Sequence, residues 1–207
     1  MSESMEHDDL ITRRAALGRV AILLGGAISA PTLAGALDAA TRRAWTAAPQ
    51  DWAPRTLTAG QLELVAVTAE HIIPQTDTPG ARAAGVHRFV DTLLADHYPA
   101  AERDRFLDGL RGVDTRSRSR HGKPFVECVA EQRVALLTEM DEETYPPRGS
   151  DTATPAGDET WFFRRMKELT LVGYYTSEMG ATRELHVSPF GPYHGDIPYR
   201  SVGRSWA

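Results

Sequence analysis

The chain of 207 residues contains a single cysteine, Cys128, and that scarcity closes off two kinds of chemistry. No intramolecular disulfide can form even in an oxidising compartment, and an iron–sulfur cluster, which needs several thiolates, cannot be held by this chain alone. Cys128 reads as a small core residue, with a bridge to another chain as the alternative. A basic excess is also missing: 23 Lys and Arg stand against 28 Asp and Glu, so the phosphates of a nucleic acid find no matching charge. Long apolar runs are scarce, and only Val20 to Leu37 approaches membrane-spanning length. Ser177 lies in no GxSxG elbow, and no glycine-rich strand-to-helix turn prepares a dinucleotide site. No internal repeat and no convincing pair of strands is present. The class predicted is all-α, a small helical domain ending in an extended tail rich in proline, glycine and aromatics.

The N-terminus carries an export signal's parts in order. Thr12-Arg13-Arg14-Ala15-Ala16-Leu17-Gly18-Arg19 precedes the uncharged run from Val20 to Leu37, which ends near the small-residue triplet Ala34-Gly35-Ala36. Paired Arg13 and Arg14, with Leu17 three positions on, resemble the twin-arginine (Tat) signature read by the Tat translocase. Ala16 stands where phenylalanine is usual and Gly18 where lysine is common. Gly25, Gly26, Ser29, Pro31, Thr32 and Gly35 keep the run only mildly apolar, as suits a Tat rather than a Sec signal. Two other readings stay open. As a helix, Val20 to Leu37 would extend about 27 Å, barely enough for an uncleaved membrane anchor, and the same run could be a buried helix of the domain. The division predicted is a signal segment over 1–36, a linker over 37–57 and a helical domain with its tail over 58–207. Cleavage after Ala36 leaves 20 basic against 24 acidic residues, still a weakly acidic chain.

Residues 38–55, with Trp45, Trp52, Pro49 and Pro54, suit an extended or partly helical linker whose tryptophans contact either a partner or the domain's own surface. Thr58 offers an N-cap with Gln61 completing a capping box, and Leu62, Val65, Ala66, Ala69, Ile72 and Ile73 share one helical face, a helix stopped by Pro74. The turn formers from Pro74 to Ala81 predict a rigid loop. Val86, Phe89, Val90, Leu93 and Leu94 mark the next helix, and Pro99 starts another through Phe106, Leu107 and Leu110. The arginine- and serine-rich residues 114–123 read as a solvated loop, with a basic contact surface as the alternative. Helical spacing returns from Phe125 to Met140. A loop over 145–158 follows, and Glu159 opens a last helix with aromatic bulk on more than one face.

Histidines invite a search for metal or base. His71 has no second ligand one turn away, and His87 with Asp91 at i+4 reads as a surface hydrogen bond. His186, His194 and Asp196 form the best remaining cluster, though their spacing fits no zinc or facial-triad pattern. The residue patterns supply no catalytic apparatus.

The segment Ile72-Ile73-Pro74-Gln75-Thr76-Asp77-Thr78-Pro79-Gly80-Ala81 with Ala84-Gly85-Val86, and the C-terminal Gly173-Tyr174-Tyr175-Thr176-Ser177-Glu178-Met179-Gly180, Gly195-Asp196-Ile197-Pro198 and Gly203-Arg204-Ser205-Trp206-Ala207, resemble the gluconate 2-dehydrogenase subunit 3 family. The resemblance implies the small, or gamma, subunit of a periplasmic flavin-dependent sugar or polyol dehydrogenase. It implies no catalytic, cofactor or metal residue in this chain. The partner implied is a large subunit of the glucose-methanol-choline (GMC) oxidoreductase type carrying FAD and, in some complexes, an iron–sulfur cluster; a multihaem cytochrome c with haem c joins some complexes. The small subunit would assist folding and lend its Tat signal, giving a periplasmic protein, membrane-associated if the complex or an uncleaved signal holds it there. Permanent interfaces are large and rich in aromatics, so Tyr174, Tyr175, Phe190, Tyr193, Tyr199 and Trp206 are the interface candidates, with internal packing as the other reading. Two other functions stand beside this one: a stand-alone periplasmic metal-dependent enzyme using His186, His194 and Asp196, and a membrane-tethered binding module held by Val20 to Leu37.

Overall fold

Local signals set most helix boundaries. In the computed structural model, which describes residues 28–46, 51–146 and 157–185, seven α-helices are present and no strand occurs among the described residues. They are α1 (Ala30–Leu37), α2 (Ala39–Trp45), α3 (Ala59–Ile72), α4 (Val86–Asp96), α5 (Ala100–His121), α6 (Ala130–Thr144) and α7 (Asp158–Thr176). The Thr58 hydroxyl accepts from the Gln61 amide while the Gln61 side chain accepts from the Thr58 amide, closing the capping box at the start of α3. Pro74 lacks an amide hydrogen, and α3 stops at Ile72. Pro99 sits at the N-cap of α5.

The last helix is the axis of the core. α7 packs against α1, α3, α4, α5 and α6, which is why its aromatic bulk is not confined to one stripe. Phe162, Met166, Leu169 and Val172 are almost wholly buried, and Phe162 meets Phe106 of α5 with ring centroids 5.1 Å apart. Phe89, Leu93 and Leu94 of α4 complete the same cluster.

Two expectations are corrected. Residues 114–121 are helix, not loop: α5 runs unbroken to His121 and ends at Gly122, whose φ of 71° suits a glycine cap. Its polar residues are tied sideways to other elements. Arg116 donates to Glu143 of α6 and Glu159 of α7, Arg120 pairs with Glu139, and buried Ser117 donates to the Lys123 carbonyl. The stretch after Phe125 is a single 3-10 turn, Phe125–Glu127, and the helix proper begins at Ala130, after the Val129 amide donates to the Gln132 side chain.

Residues ahead of the capping box also pack on the body. Trp45 is buried edge-on to Phe89 at 5.5 Å, and Trp52 lies edge-on to His87 with the Arg88 guanidinium over its ring. Both tryptophans contact their own domain. Cys128 is buried and free, with its Sγ 3.1 Å from the Ser117 hydroxyl.

Candidate partner interface

The loop between α3 and α4 is closed by its own backbone. The Ala81 amide donates to the Ile73 carbonyl at 2.9 Å and the Thr76 amide to the Thr78 carbonyl at 3.0 Å. Glu70, in the last turns of α3, accepts from the Gln75 amide with one carboxylate oxygen and from the Arg82 amide with the other, each at 2.9 Å. Gly85, at φ 75°, then turns the chain into α4. With donors and acceptors answered locally, the loop holds one shape and leaves Gln75, Thr76 and Asp77 exposed.

The C-terminal end of α7 meets this loop. The Tyr174 hydroxyl donates to the Pro79 carbonyl at 2.8 Å, and the Thr78 hydroxyl donates to Glu184 at 2.8 Å. Ser177 ends the helix by donating to the Tyr174 carbonyl and accepting from the Gly180 amide. A single π-helical turn, Gly180–Glu184, follows. Its first residue must be small, because a Cβ on Gly180 would lie 2.0 Å from the Tyr174 carbonyl oxygen. Two segments about a hundred residues apart therefore form one surface.

Of the tyrosine pair, only one is available to a partner. Tyr174 is 1% exposed, and its phenol is pushed upward in pKa mainly by burial. Tyr175 lies edge-on to it at 5.3 Å and is half-buried, so part of its side chain stays exposed. Arg13, Arg14, Phe190, Tyr193, Tyr199 and Trp206, and the cluster His186, His194 and Asp196, lie outside the described residues.

A second concavity, an open cleft of about 360 Å³, lies between α3, α6 and α7 and is lined by His71, Ile72, Val134, Leu137, Phe163 and the Lys167–Asp141 ion pair among others. Val134 stands 50% exposed at its edge. Burial first, and then the Arg133 charge, push the His71 pKa down, so its imidazole is neutral at pH 7. The apolar lining and the already paired lysine offer the cleft as a surface for side-chain packing. Among the described residues no group of three His, Cys, Asp or Glu is placed to hold a metal ion, and no helix is long and apolar enough to cross a membrane.

His87 and Asp91 do not form the expected surface pair. Asp91 is fully buried and accepts from the backbone amides of Arg55, Thr56 and Leu57 at 2.8, 3.0 and 2.7 Å, fastening the segment that leads into α3. His87 has a buried Nδ1 with no protein partner, and burial lowers its pKa to about 4. Sequence reasoning missed Asp91 and also Glu168, a 2% exposed carboxylate in α7. An acidic residue inside an apolar helical stripe was the available signal for both.

The sequence pattern of the family described as gluconate 2-dehydrogenase subunit 3 matches residues 59–192, which takes in α3 through the π-helical turn. No curated protein and no solved structure matches the chain.

Proposed function

From the premise that the chain belongs to the gluconate 2-dehydrogenase subunit 3 family, and is thus a small subunit of a dehydrogenase complex, we propose that it is the non-catalytic gamma subunit of a periplasmic FAD-dependent sugar or glucoside dehydrogenase. The observation that carries this reading is the use made of the two most distinctive segments. Residues 72–86 and 173–180 meet through the Tyr174–Pro79 hydrogen bond, and other polar groups of theirs are engaged close by: two loop amides on Glu70 of α3, Ser177 on its own helix end. Groups already engaged in this way build a surface of fixed shape, which favours recognition by another subunit.

The partner in this reading is a large GMC-type flavoprotein, which holds FAD and, in some assemblies, an iron–sulfur cluster; a multihaem cytochrome c accepts the electrons where one is present. The exposed part of Tyr175 and the aromatics Phe190, Tyr193, Tyr199 and Trp206 are the contacts offered to it. Arg13 and Arg14 address the assembly to the Tat translocase. A flavoprotein loaded with cofactor in the cytoplasm must cross the membrane folded, and one signal serves both chains if they bind tightly before export.

The test is recovery of the C-terminally tagged chain from its native host, with a visible spectrum and mass spectrometry of what accompanies it. A flavin spectrum and a co-purifying flavoprotein are expected, and haem bands where a cytochrome is bound. A colourless chain recovered alone under conditions that preserve such complexes refutes the reading. Deleting the gene for this subunit should leave the flavoprotein in the cytoplasm; normal periplasmic activity without it removes the export role.

A further inference from the structure

The residues on both sides of the expected cleavage point, Ala36, are packed into the domain. Ser29, just ahead of α1, donates its amide and its hydroxyl to one oxygen of Glu168 at 2.9 and 2.6 Å. The other oxygen of Glu168 accepts from Arg165 of the same helix. Thr32 is fully buried and its hydroxyl lies 2.7 Å from that of Tyr98. Gly35 presses so closely on α4 that a Cβ there would lie 2.6 Å from Leu93 Cγ. Immediately after α1, the Asp38 carboxylate caps α2 through the amides of Ala40 and Thr41, and the Thr41 hydroxyl sits 2.7 Å from His97 Nε2. Trp45 then anchors α2 against Phe89.

The structure assigns to the folded body a binding groove for the end of its own leader and the start of the linker, formed by α4, Tyr98 and α7, in which residues 29–45 lie as a permanent part of the subunit and the Ala36–Leu37 bond is withheld from processing. The inference rests on the reading of the N-terminus as an export signal, but the packing it uses does not. Three physical points support it. The bond after Ala36 joins the last two residues of α1, with Ala36 5% exposed and the residues ahead of it helical, whereas a peptidase must draw several residues into an extended strand. Removing Ser29 would take away two donors from a carboxylate that is almost wholly buried, leaving it to Arg165 alone. Removing Thr32 and Gly35 would also uncover Leu93 and the Tyr98 hydroxyl, which are 0% and 5% exposed as residues. The triplet Ala34-Gly35-Ala36 has small side chains for a reason independent of a peptidase: two helices approach closely there.

Two measurements on the full chain decide the matter. The first is the intact mass and N-terminal sequence of the protein recovered from the periplasm of a Tat-competent host. An N-terminus at or before Ser29 is expected; one anywhere beyond Ser29, Leu37 above all, overturns the proposal. Thr32→Glu, which forces a charge under α1, should undock the helix and yield chains cut at Leu37. The second is amide hydrogen exchange of the purified full chain, which does not depend on export. Residues 31–45 should be protected to within about tenfold of α4, and exchange there at the rate of an open peptide overturns the groove. If Arg13→Lys with Arg14→Lys leaves the location of the protein unchanged, the export reading fails while the exchange result still decides whether the leader is bound.

Discussion

Gly180 is a position where one methyl group should matter. A Cβ there meets the Tyr174 carbonyl, part of the last turn of a core helix that cannot move aside. Gly180→Ala is expected to cost about 1–3 kcal/mol as overpacking, a fall of about 3–10 °C in thermal denaturation. The neighbouring tyrosines should separate cleanly. Tyr174→Phe leaves the Pro79 carbonyl without its donor and should lose about 1 kcal/mol of stability. Tyr175→Ala gives up packing on Tyr174 and the core and so costs some stability too, but it should weaken co-purification of the large subunit far more than Tyr174→Phe does. The opposite pattern would remove Tyr175 from the interface. His87 supplies a pH dependence with a definite sign. Its folded pKa is held near 4 by burial while the unfolded value is about 6.5, so between these the unfolded chain binds the extra proton. Stability is full above about pH 6.5 and falls as pH drops toward 4, by up to about 3 kcal/mol. Urea unfolding at pH 7.5 and 4.5 measures the difference, and His87→Asn should shrink it; an unchanged slope in the variant would place the acid sensitivity elsewhere.

At the scale of elements, the strongest expectation concerns Asp91. Its carboxylate accepts three consecutive amides from residues 55–57, a staple between α4 and the chain that enters α3. Asp91→Ala strands those donors and should cost about 3 kcal/mol, or about 6–12 °C in Tm, with new proteolytic sensitivity near Trp52; Asp91→Asn, which keeps one acceptor oxygen, should lose less. The staple also shows where sequence reasoning ends. Thr58 and Gln61 are three residues apart, and Pro74 and Pro99 act on their own backbone, so these boundaries of α3 and α5 were legible directly. Asp91 and its donors are separated by 34 to 36 positions, and no local pattern announces such a pair. The end of α5 was misread for the same reason: Arg116 and Arg120 look like solvent-facing loop residues until Glu139, Glu143 and Glu159 are brought beside them. The candidate interface was half legible. The loop stood out by its turn formers and the helix end by the family resemblance, but their contact through Tyr174 and Pro79, and hence which tyrosine remains available, is a product of the fold.

For the molecule as a whole, the question is where a second subunit adds protection. A partner that binds only the folded chain stabilises it by mass action, about 2.7 kcal/mol at a free concentration one hundred times Kd. That gain is global in thermal denaturation but local in hydrogen exchange: amides that open by small fluctuations slow only where the partner covers them, while core helices such as α7 already exchange through larger openings. Adding the purified partner subunit of the dehydrogenase to the full chain should therefore raise Tm and also slow exchange at residues 75–82 and 175–185, where the loop and the π-helical turn meet. The cleft bounded by His71, Val134 and Lys167 is the control surface, since it is concave, partly apolar and lined by none of residues 75–82 or 175–185. Protection at 71, 134 and 138 without protection at 75–82 would move the interface to the cleft and leave the joined loop and helix end as a structural brace. Protection at both places would mean that the large subunit covers the loop and the cleft together, and Tyr175→Ala should then weaken binding without abolishing it.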